Sequence, residues 1–313
     1  MLITICPVMN EKQTGLWISH ALAILILSGP QVLRAENLQS GEYSISQSWK
    51  QEKEFERPYL VAVPGDRKGK LPVVMFLHGN GGNARGALNG FLRRNRVMAK
   101  RYIVVCPEGY MRSWNIVSER SKADDREFVE AIVRKLASYD NVEDGNFSII
   151  GSSNGAALVN QLAIECQLPN IRNYVSGVSP LNVYQHDGKS FKAKGENNSY
   201  RKAVRPMTGK RFMNVSGTED RLVPYGGGPS RGIPAKGGKL VFVEAEQSIY
   251  LWAREMGYKG KKLTRPSSVK GNLEMFSYLD GAVIHYKVVG AGHGAMGAIR
   301  EDLLLAFLEG SDR

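Results

Sequence analysis

The sequence predicts an α/β protein with a mostly parallel sheet of about eight strands and helices on both faces. Short apolar runs such as residues 71–77 and 102–106 recur along the chain, as expected of strands that are buried on both faces. Stretches with helical periodicity separate several of these runs. Because strands that alternate with helices build parallel sheets, the pattern favours a layered α/β domain over residues 36–313.

The predicted strands share apolar or alternating character and end at turn-forming residues. They are residues 43–46, 59–64, 71–77, 102–106, 146–150, 174–178, 211–215 and 281–289. The predicted helices are residues 124–136, 156–162, 249–256 and 299–307. Asp124 and Glu127 have the spacing of a capping box at the start of the first of these helices.

The charge of the chain is strongly positive but does not indicate a nucleic-acid partner. The formal net charge is +12 over 313 residues. The basic residues concentrate in two connecting segments, 189–211 and 254–270, which contain Gly, Ser or Pro and carry no nucleic-acid-binding motif. We therefore interpret both segments as solvated basic loops.

The N-terminus resembles a secretory signal. An apolar run, residues 16–27, follows Lys12 and precedes the helix-breaking Gly29 and Pro30, with Ala35 as a candidate cleavage residue. The run is shorter than the roughly 20 residues that a spanning helix needs. We expect residues 1–35 to direct export to the periplasm or the medium, with no stable membrane insertion after cleavage. Leu33 stands at the −3 position relative to cleavage after Ala35, where a small residue is preferred, so an uncleaved membrane anchor is the alternative.

No metal or cofactor is expected, and the cysteines allow at most one disulfide, between Cys106 and Cys166. Cys6 would leave with the signal, and Cys106 and Cys166 are interpreted as free buried thiols. No group of residues has the spacing of metal ligands.

The segment Gly151-Ser152-Ser153-Asn154-Gly155 fits the pattern of a nucleophile elbow, G-x-S-x-G. It lies between a predicted strand and a predicted helix, which is the context that such a turn requires. A serine at the apex has a strained backbone, so its neighbours must be small. The pentapeptide makes Ser153 a candidate nucleophile, although an ordinary glycine-rich turn between a strand and a helix could have a similar sequence.

A serine nucleophile needs a base and an acid that orients the base, and both follow later strands. The strand 211–215 runs into Glu219 and Asp220, and the last strand runs into His293 between two glycines. The order serine, acid, histidine is the one expected for this kind of elbow. The other four histidines lie in the signal, within a strand, in the basic connection or before the serine. We therefore predict Ser153, Asp220 and His293 as the triad, with Glu219 as a solvated turn residue.

An oxyanion hole should use the backbone N–H that follows the nucleophile and a second one from the first glycine-rich loop. These are the N–H of Asn154 and, in the loop from His78 to Gly82, that of Asn80. For Asn80 the alternative is a plain glycine-rich turn, and His78 is interpreted as structural.

Several motifs in one order resemble a known family. They are the segments 77–83, 107–109, Trp114 with 124–125, 151–155, 217–220 with 223–225, and 290–293. Together they look like the secreted α/β-hydrolases grouped as poly(3-hydroxybutyrate) depolymerase-like and feruloyl or acetylxylan esterase-like enzymes. The resemblance covers about residues 40 to 310 and implies the α/β-hydrolase fold, the same triad and hydrolysis of carboxylic esters. Ser216 and Asn80 stand where the family usually has His and Cys.

Two further features bear on the substrate. Trp114 is predicted to lie near the mouth of a pocket and contact substrate, with a buried loop anchor as the alternative. The basic connection, residues 181–210, occupies the position of lid or cap insertions and either shapes the pocket or forms a surface loop.

The predicted activity is that of a serine esterase acting on a small-molecule or polymeric ester, of the aryl, feruloyl, acetyl or polyhydroxyalkanoate type. A serine peptidase or a thioesterase would use the same residues. Because fold does not fix function, a non-catalytic binding protein is a further alternative.

Overall fold

A ten-stranded sheet organises the residues described by the computed structural model, 36–65 and 69–310, which belong to one compact unit. The strands are β1 Gly41–Trp49, β2 Glu52–Ala62, β3 Leu71–Leu77, β4 Ile103–Pro107, β5 Val142–Ser152, β6 Ile171–Gly177, β7 Phe191–Lys192, β8 Ala203–Val204, β9 Arg211–Gly217, β10 Gly228–Ala235, β11 Gly238–Phe242, β12 Ser268–Lys270, β13 Leu273–Tyr278 and β14 Val283–Val288. The helices are α1 Ala84–Arg94, α2 Met98–Arg101, α3 Asp125–Leu136, α4 Asn154–Glu165, α5 Ala245–Glu255 and α6 Glu301–Glu309.

The sheet has the order β1-β2-β4-β3-β5-β6-β9-β14-β13-β12. Its six central strands, β4 to β14 in that order, are parallel, and antiparallel pairs extend both edges. The prediction of a mostly parallel sheet is confirmed. All eight predicted strands lie in this sheet, and the two strands beyond them are β12 and β13 at one edge. Two small ribbons, β7–β8 and β10–β11, lie outside it.

Both faces of the sheet are buried, which explains the continuous apolar runs of the central strands. In β3, Val73 and Met75 belong to one core cluster and Val74 to the other, since successive side chains point to opposite faces. The first cluster includes Phe128 of α3 and Trp252 of α5. The second includes residues of α1 and α6. The helices therefore cover the sheet on both sides, as predicted.

The start of α3 carries half of the predicted capping box. The Asp124 side chain accepts a hydrogen bond from the Glu127 N–H, which caps the helix. The Glu127 carboxylate does not turn back to the Asp124 N–H but accepts a bond from Gln47 of β1 at 3.0 Å. The second half of the motif therefore ties the helix to the edge of the sheet.

The cysteine prediction is confirmed for the described residues, in which Cys106 and Cys166 are free and buried. Burial raises the pKa of both thiols, that of Cys166 to about 11. The predicted signal, residues 1–35, lies outside the described residues. Within the described part of the chain, no helix combines the length and the apolar character that a membrane span requires.

Candidate active site

The turn from β5 into α4 has the strained geometry of a nucleophile elbow. Ser153 has φ 55° and ψ −119°, a backbone conformation that L-residues rarely adopt. Its N–H is held by the Gly177 carbonyl at the end of β6, at 2.9 Å. Because neighbouring parallel strands end at the same edge, this bond fixes the serine at the carboxyl edge of the sheet, where sites in such folds lie.

The glycines on either side of Ser153 are required by close backbone contacts. A Cβ on Gly151 would lie 2.4 Å from the Gly155 carbonyl oxygen, and a Cβ on Gly155 would lie 2.3 Å from the carbonyl oxygen of Leu77. The elbow therefore packs directly on the end of β3. The requirement for small neighbours, inferred from the sequence pattern, has a specific cause in these contacts.

Ser153, His293 and Asp220 form one chain of hydrogen bonds. The His293 Nε2 lies 2.8 Å from the Ser153 hydroxyl oxygen, and the His293 Nδ1 lies 2.7 Å from Asp220 Oδ2. The structure thus brings together three residues that are separated by 67 to 140 positions in sequence. The histidine side chain is 32% exposed, so solvent reaches the base.

The loops that carry Asp220 and His293 are joined through their backbones. A Cβ on Gly217 would lie 2.2 Å from the Ala291 carbonyl oxygen, and the Glu219 N–H donates to the same oxygen at 2.9 Å. Glu219 itself is exposed while Asp220 is buried, which agrees with the choice of Asp220 over Glu219.

The surroundings of Asp220 favour its ionised form. Burial by itself would raise the pKa of this carboxyl group, but hydrogen bonds from His293 and from the N–H groups of Val223 and Leu222 outweigh it, and the pKa is lowered. The two backbone bonds go to Oδ1, each at 2.9 Å, which leaves Oδ2 for the imidazole. A carboxylate held this way fixes the histidine tautomer with the proton on Nδ1 and the Nε2 lone pair toward Ser153.

Near Ser153, the backbone N–H groups of Asn154 and Asn80 have no hydrogen-bond acceptor among the described residues. Asn154 begins α4, so its N–H has no carbonyl partner in its own helix. In the loop after β3, the N–H groups of Gly81 and Gly82 donate to the carbonyls of Arg112 and Gly79. The Asn80 N–H has no partner among the described residues. A Cβ on Gly79 would lie 3.5 Å from the Ser153 Cβ, so this loop lies against Ser153.

Hydrogen bonds of His78 and Trp114 hold the loop after β3 in place. The Nε2 of His78 accepts the Gly109 N–H at 3.0 Å, and burial lowers the pKa of the imidazole. The Trp114 indole donates to the His78 carbonyl at 2.8 Å and is fully buried. A stacking contact between Trp114 and substrate does not fit this burial, so the predicted substrate contact is corrected to the alternative, a loop anchor. The tryptophan is placed by its need for a hydrogen-bond partner inside the core.

The side chain of Asn154 has a role that the sequence did not indicate. Its Oδ1 accepts the Trp114 N–H at 2.7 Å and its Nδ2 donates to the Trp114 carbonyl at 3.0 Å. The Nδ2 also lies 3.3 Å from the Glu119 carboxylate, which accepts the N–H groups of Ile116 and Val117. These bonds fasten the segment after β4 to Asn154, the first residue of α4. No sequence motif marks Glu119.

A cavity of about 670 Å³ opens over Ser153. This volume lies within the range of roughly 300 to 1,000 Å³ typical of small-molecule sites. One wall comes from the segment after β4 and includes Arg112, Glu119 and Arg120. The other comes from the Asp220 loop and the ribbon of β10 and β11. None of the predicted strands covers this ribbon, although the dipeptide Gly237-Gly238, at the turn and the start of β11, is a hairpin signal.

The basic connection, residues 181–210, contributes no lining residue to this cavity. Residues of this connection form hydrogen bonds to the segment after β4, which makes up the first wall. Tyr200 donates to the Ile116 carbonyl at 2.8 Å, and Asn198 donates to the side chain of Asn115 at 2.7 Å. Lys210 is not a solvated loop residue, because its ammonium group is bound by three backbone carbonyls.

Comparisons with known proteins identify the fold. No family model matches the sequence, and no curated protein is similar to it. Among solved structures, an acetyl xylan esterase from Aspergillus awamori aligns with a TM-score of 0.59 at 14% identity, over 86% of this chain and 99% of that one. A thermostable esterase aligns with a TM-score of 0.52 at 14% identity, over 87% of this chain and 63% of that chain, so this chain spans less than two thirds of that protein. With its parallel sheet, covered faces and elbow after β5, the chain has the α/β-hydrolase fold.

Proposed function

We propose that this chain is a serine hydrolase that cleaves carboxylic esters through an acyl-enzyme. The observation that carries the proposal is the continuous hydrogen-bonded chain from Asp220 through His293 to the Ser153 hydroxyl, with distances of 2.7 and 2.8 Å. A serine hydroxyl is a poor nucleophile unless a base accepts its proton, and an imidazole oriented by a carboxylate supplies that base.

The mechanism assigns one step to each group. The Ser153 oxygen attacks the ester carbonyl carbon while its proton passes to His293 Nε2, and the carbonyl oxygen becomes an oxyanion. The free N–H groups of Asn154 and Asn80 bind that oxyanion. As the tetrahedral intermediate collapses, the bond to the leaving alcohol breaks and the imidazolium gives its proton to the alcohol oxygen. Water, deprotonated by the same imidazole, then attacks the acyl carbon and releases the acid and Ser153.

Esters are the substrate class that the comparisons favour. Both of the solved structures reported above are esterases, one of them an acetyl xylan esterase. The motif resemblance narrows the proposal to aryl, feruloyl, acetyl or polyhydroxyalkanoate-type esters. The apolar residues on the β10–β11 side of the cavity, together with its volume, suit an acyl or aryl group larger than acetyl.

Steady-state hydrolysis of para-nitrophenyl butanoate by the wild type and by Ser153→Ala tests the proposal. Turnover by the wild type and a loss of at least about 10³-fold in the variant are expected, since the covalent step disappears. The fold of the variant is checked by thermal unfolding. A variant that retains wild-type turnover would contradict the proposal. A panel that adds feruloyl esters, a polyester oligomer, a thioester and an aminoacyl amide separates the ester class from the peptidase and thioesterase alternatives.

Export is part of this proposal, supported by the apolar run 16–27 behind Lys12. Removal of residues 1–35 would leave a mature chain that begins at Glu36. N-terminal sequencing of the exported protein tests this: a mature chain that still contains residues 16–27 would contradict a cleaved signal.

A further inference from the structure

The two walls of the cavity over Ser153 differ in chemical character. The first wall belongs to the segment that follows β4, on one side of β5 in the sheet. The second belongs to the segment that follows β9, on the other side of β5. Since Ser153 follows β5, it lies between them. Any ester whose carbonyl reaches Ser153 therefore places its two ends between unlike surroundings.

The surface that the second wall presents to the cavity is apolar, because none of its lining residues among the described part of the chain is charged. Its lining residues are Leu222, Val223, Gly232, Ile233, Pro234, Leu240 and Phe242. Both strands of the β10–β11 ribbon are held near its open end, where Pro229 pairs with Val241. The Ser230 hydroxyl donates to the Leu222 carbonyl at 2.7 Å, and the Val241 carbonyl accepts the Val183 N–H at 3.0 Å. An apolar group of a substrate has a preformed surface here.

The first wall carries three charged residues, two of them arginines. Glu119 is already bound by the N–H groups of Ile116 and Val117, at 2.9 and 2.7 Å, and faces the Asn154 amide. Arg112 donates to the carbonyls of Gly81 and Gly82 and has no carboxylate partner among the described residues. The charge of this wall is thus positive by one unit, two arginines against one glutamate.

Arg120 is the freer of the two arginines. It is exposed, it lines the cavity, and within the described residues its guanidinium group has neither a hydrogen bond nor an ion pair. A guanidinium group binds a carboxylate through two parallel N–H···O bonds, a geometry that a neutral ester cannot use. The most direct use of an unpaired arginine at the edge of an active-site cavity is to bind an anion on the substrate.

From these observations we infer that the preferred ester carries a carboxylate at the end that lies against Arg112 and Arg120, and an apolar group at the end that lies against the β10–β11 ribbon. This inference rests on the proposed ester hydrolysis and narrows its substrate class. The carboxylate belongs either to the acyl part or to the alcohol part, and the two sources are separated by the choice of substrates.

Two matched substrate pairs test the inference. In the acyl pair, the mono-para-nitrophenyl ester of glutaric acid is compared with its methyl ester. In the alcohol pair, para-carboxyphenyl butanoate is compared with its methyl ester. Within each pair the members differ in charge but little in shape. The wild type, Arg120→Gln and the control Arg265→Gln are measured on all four substrates. Arg265 is exposed and lines no part of this cavity. Comparing variants on one substrate removes the intrinsic reactivity of each ester.

The expected result is specific to charge. Arg120→Gln should lower kcat/KM for the anionic member of one pair by about fivefold, the change that corresponds to about 1 kcal/mol for a solvent-exposed ion pair. The neutral member should change by less than about twofold, and Arg265→Gln should change neither. Raising the salt concentration should reduce the same preference, because exposed charges are screened.

Two results would overturn the inference. One is equal behaviour of the anionic and neutral members in the wild type and Arg120→Gln. The other is an effect of Arg265→Gln as large as that of Arg120→Gln, which would indicate only the overall positive charge. Failure of the wild type to hydrolyse any of the four esters or para-nitrophenyl butanoate is a different outcome. It would contradict the proposed function itself, and the inference with it.

Discussion

Replacement of Gly155 by alanine should damage activity more than it damages stability. The added Cβ would lie 2.3 Å from the Leu77 carbonyl oxygen, whereas real Cβ atoms essentially never approach closer than 3.0 Å. The difference, 3.0 − 2.3 = 0.7 Å, is the distance by which α4 or the end of β3 must move. Both contacts are with backbone, since the next one is the His78 carbonyl oxygen at 2.5 Å, so no flexible side chain can absorb the shift.

Two opposing effects determine how much Gly155→Ala changes the free energy of unfolding. Overpacking of this kind costs about 1 to 3 kcal/mol of unfolding free energy. Alanine recovers about 1 kcal/mol in helix propensity, which leaves a net loss of about 0 to 2 kcal/mol. The same movement separates Ser153 and the Asn154 N–H from the loop that carries Asn80. Since a misplacement of about 1 Å can cost roughly 10²-fold in rate, we expect kcat/KM to fall by about 10- to 100-fold.

Urea denaturation and hydrolysis of para-nitrophenyl butanoate measure the two quantities on the same protein. Gly90→Ala is the matched control, because Gly90 lies within α1 and no atom comes within 4 Å of its added Cβ. That variant should gain about 0.5 to 1 kcal/mol and keep its activity. A Gly155→Ala enzyme with wild-type kcat/KM would refute the proposed coupling between the elbow and the oxyanion loop.

Three further predictions address the site and the core. Asn154→Ala should lower the unfolding free energy by about 2 to 3 kcal/mol in urea, because the buried N–H and carbonyl of Trp114 lose their hydrogen-bond partners. The kcat should stay within about tenfold of the wild-type value, because the backbone N–H of residue 154 remains. A loss of kcat of more than about tenfold, with the unfolding free energy little changed, would contradict this. Asp220→Asn should lower kcat by about 10⁴-fold, as the same change does in a serine protease, because the amide cannot hold the required tautomer of His293; activity within tenfold of wild type would argue against that role. Burial lowers the pKa of His285 from 6.5 to about 3. Between these two pH values the unfolded chain binds more protons than the folded chain. The unfolding free energy therefore has its full value above about pH 6.5 and declines as the pH falls toward 3. In urea titrations at pH 7.5 and 4.5 the wild type should therefore lose about 3 kcal/mol more than His285→Gln, and equal losses would contradict the assignment.

The central strands and the order of the triad could be predicted because both depend on local or topological regularities. A strand buried on both faces must be apolar throughout, as in 71–77, and parallel strands end at one edge of the sheet. Polar residues that follow strands 146–150, 211–215 and 281–289 are therefore brought together whatever their separation along the chain. His293 could be selected because the chain has only five histidines.

Features that depend on tertiary contacts could not be predicted. Trp114 is a large aromatic residue in a loop, and whether it lines a pocket or anchors a turn depends on where its indole finds an acceptor. Glu119 acts through backbone N–H groups that carry no sequence signature. The strand β10 contains Pro229 and Pro234, which remove the alternation that marks a strand, so the sequence gives no strand signal for this part of the ribbon. That the ribbon lines the cavity over Ser153 is evident only from the three-dimensional structure.

The central claim is that Ser153 is an activated nucleophile, and covalent labelling tests it most directly. A fluorophosphonate reacts with a serine whose proton is accepted by a neighbouring base. The wild type and Ser153→Ala are incubated with the reagent, and the modified peptide is identified by mass spectrometry. We predict one adduct, on Ser153, in the wild type and none in the variant. Equal labelling of both proteins, or an adduct on another residue, would contradict the account.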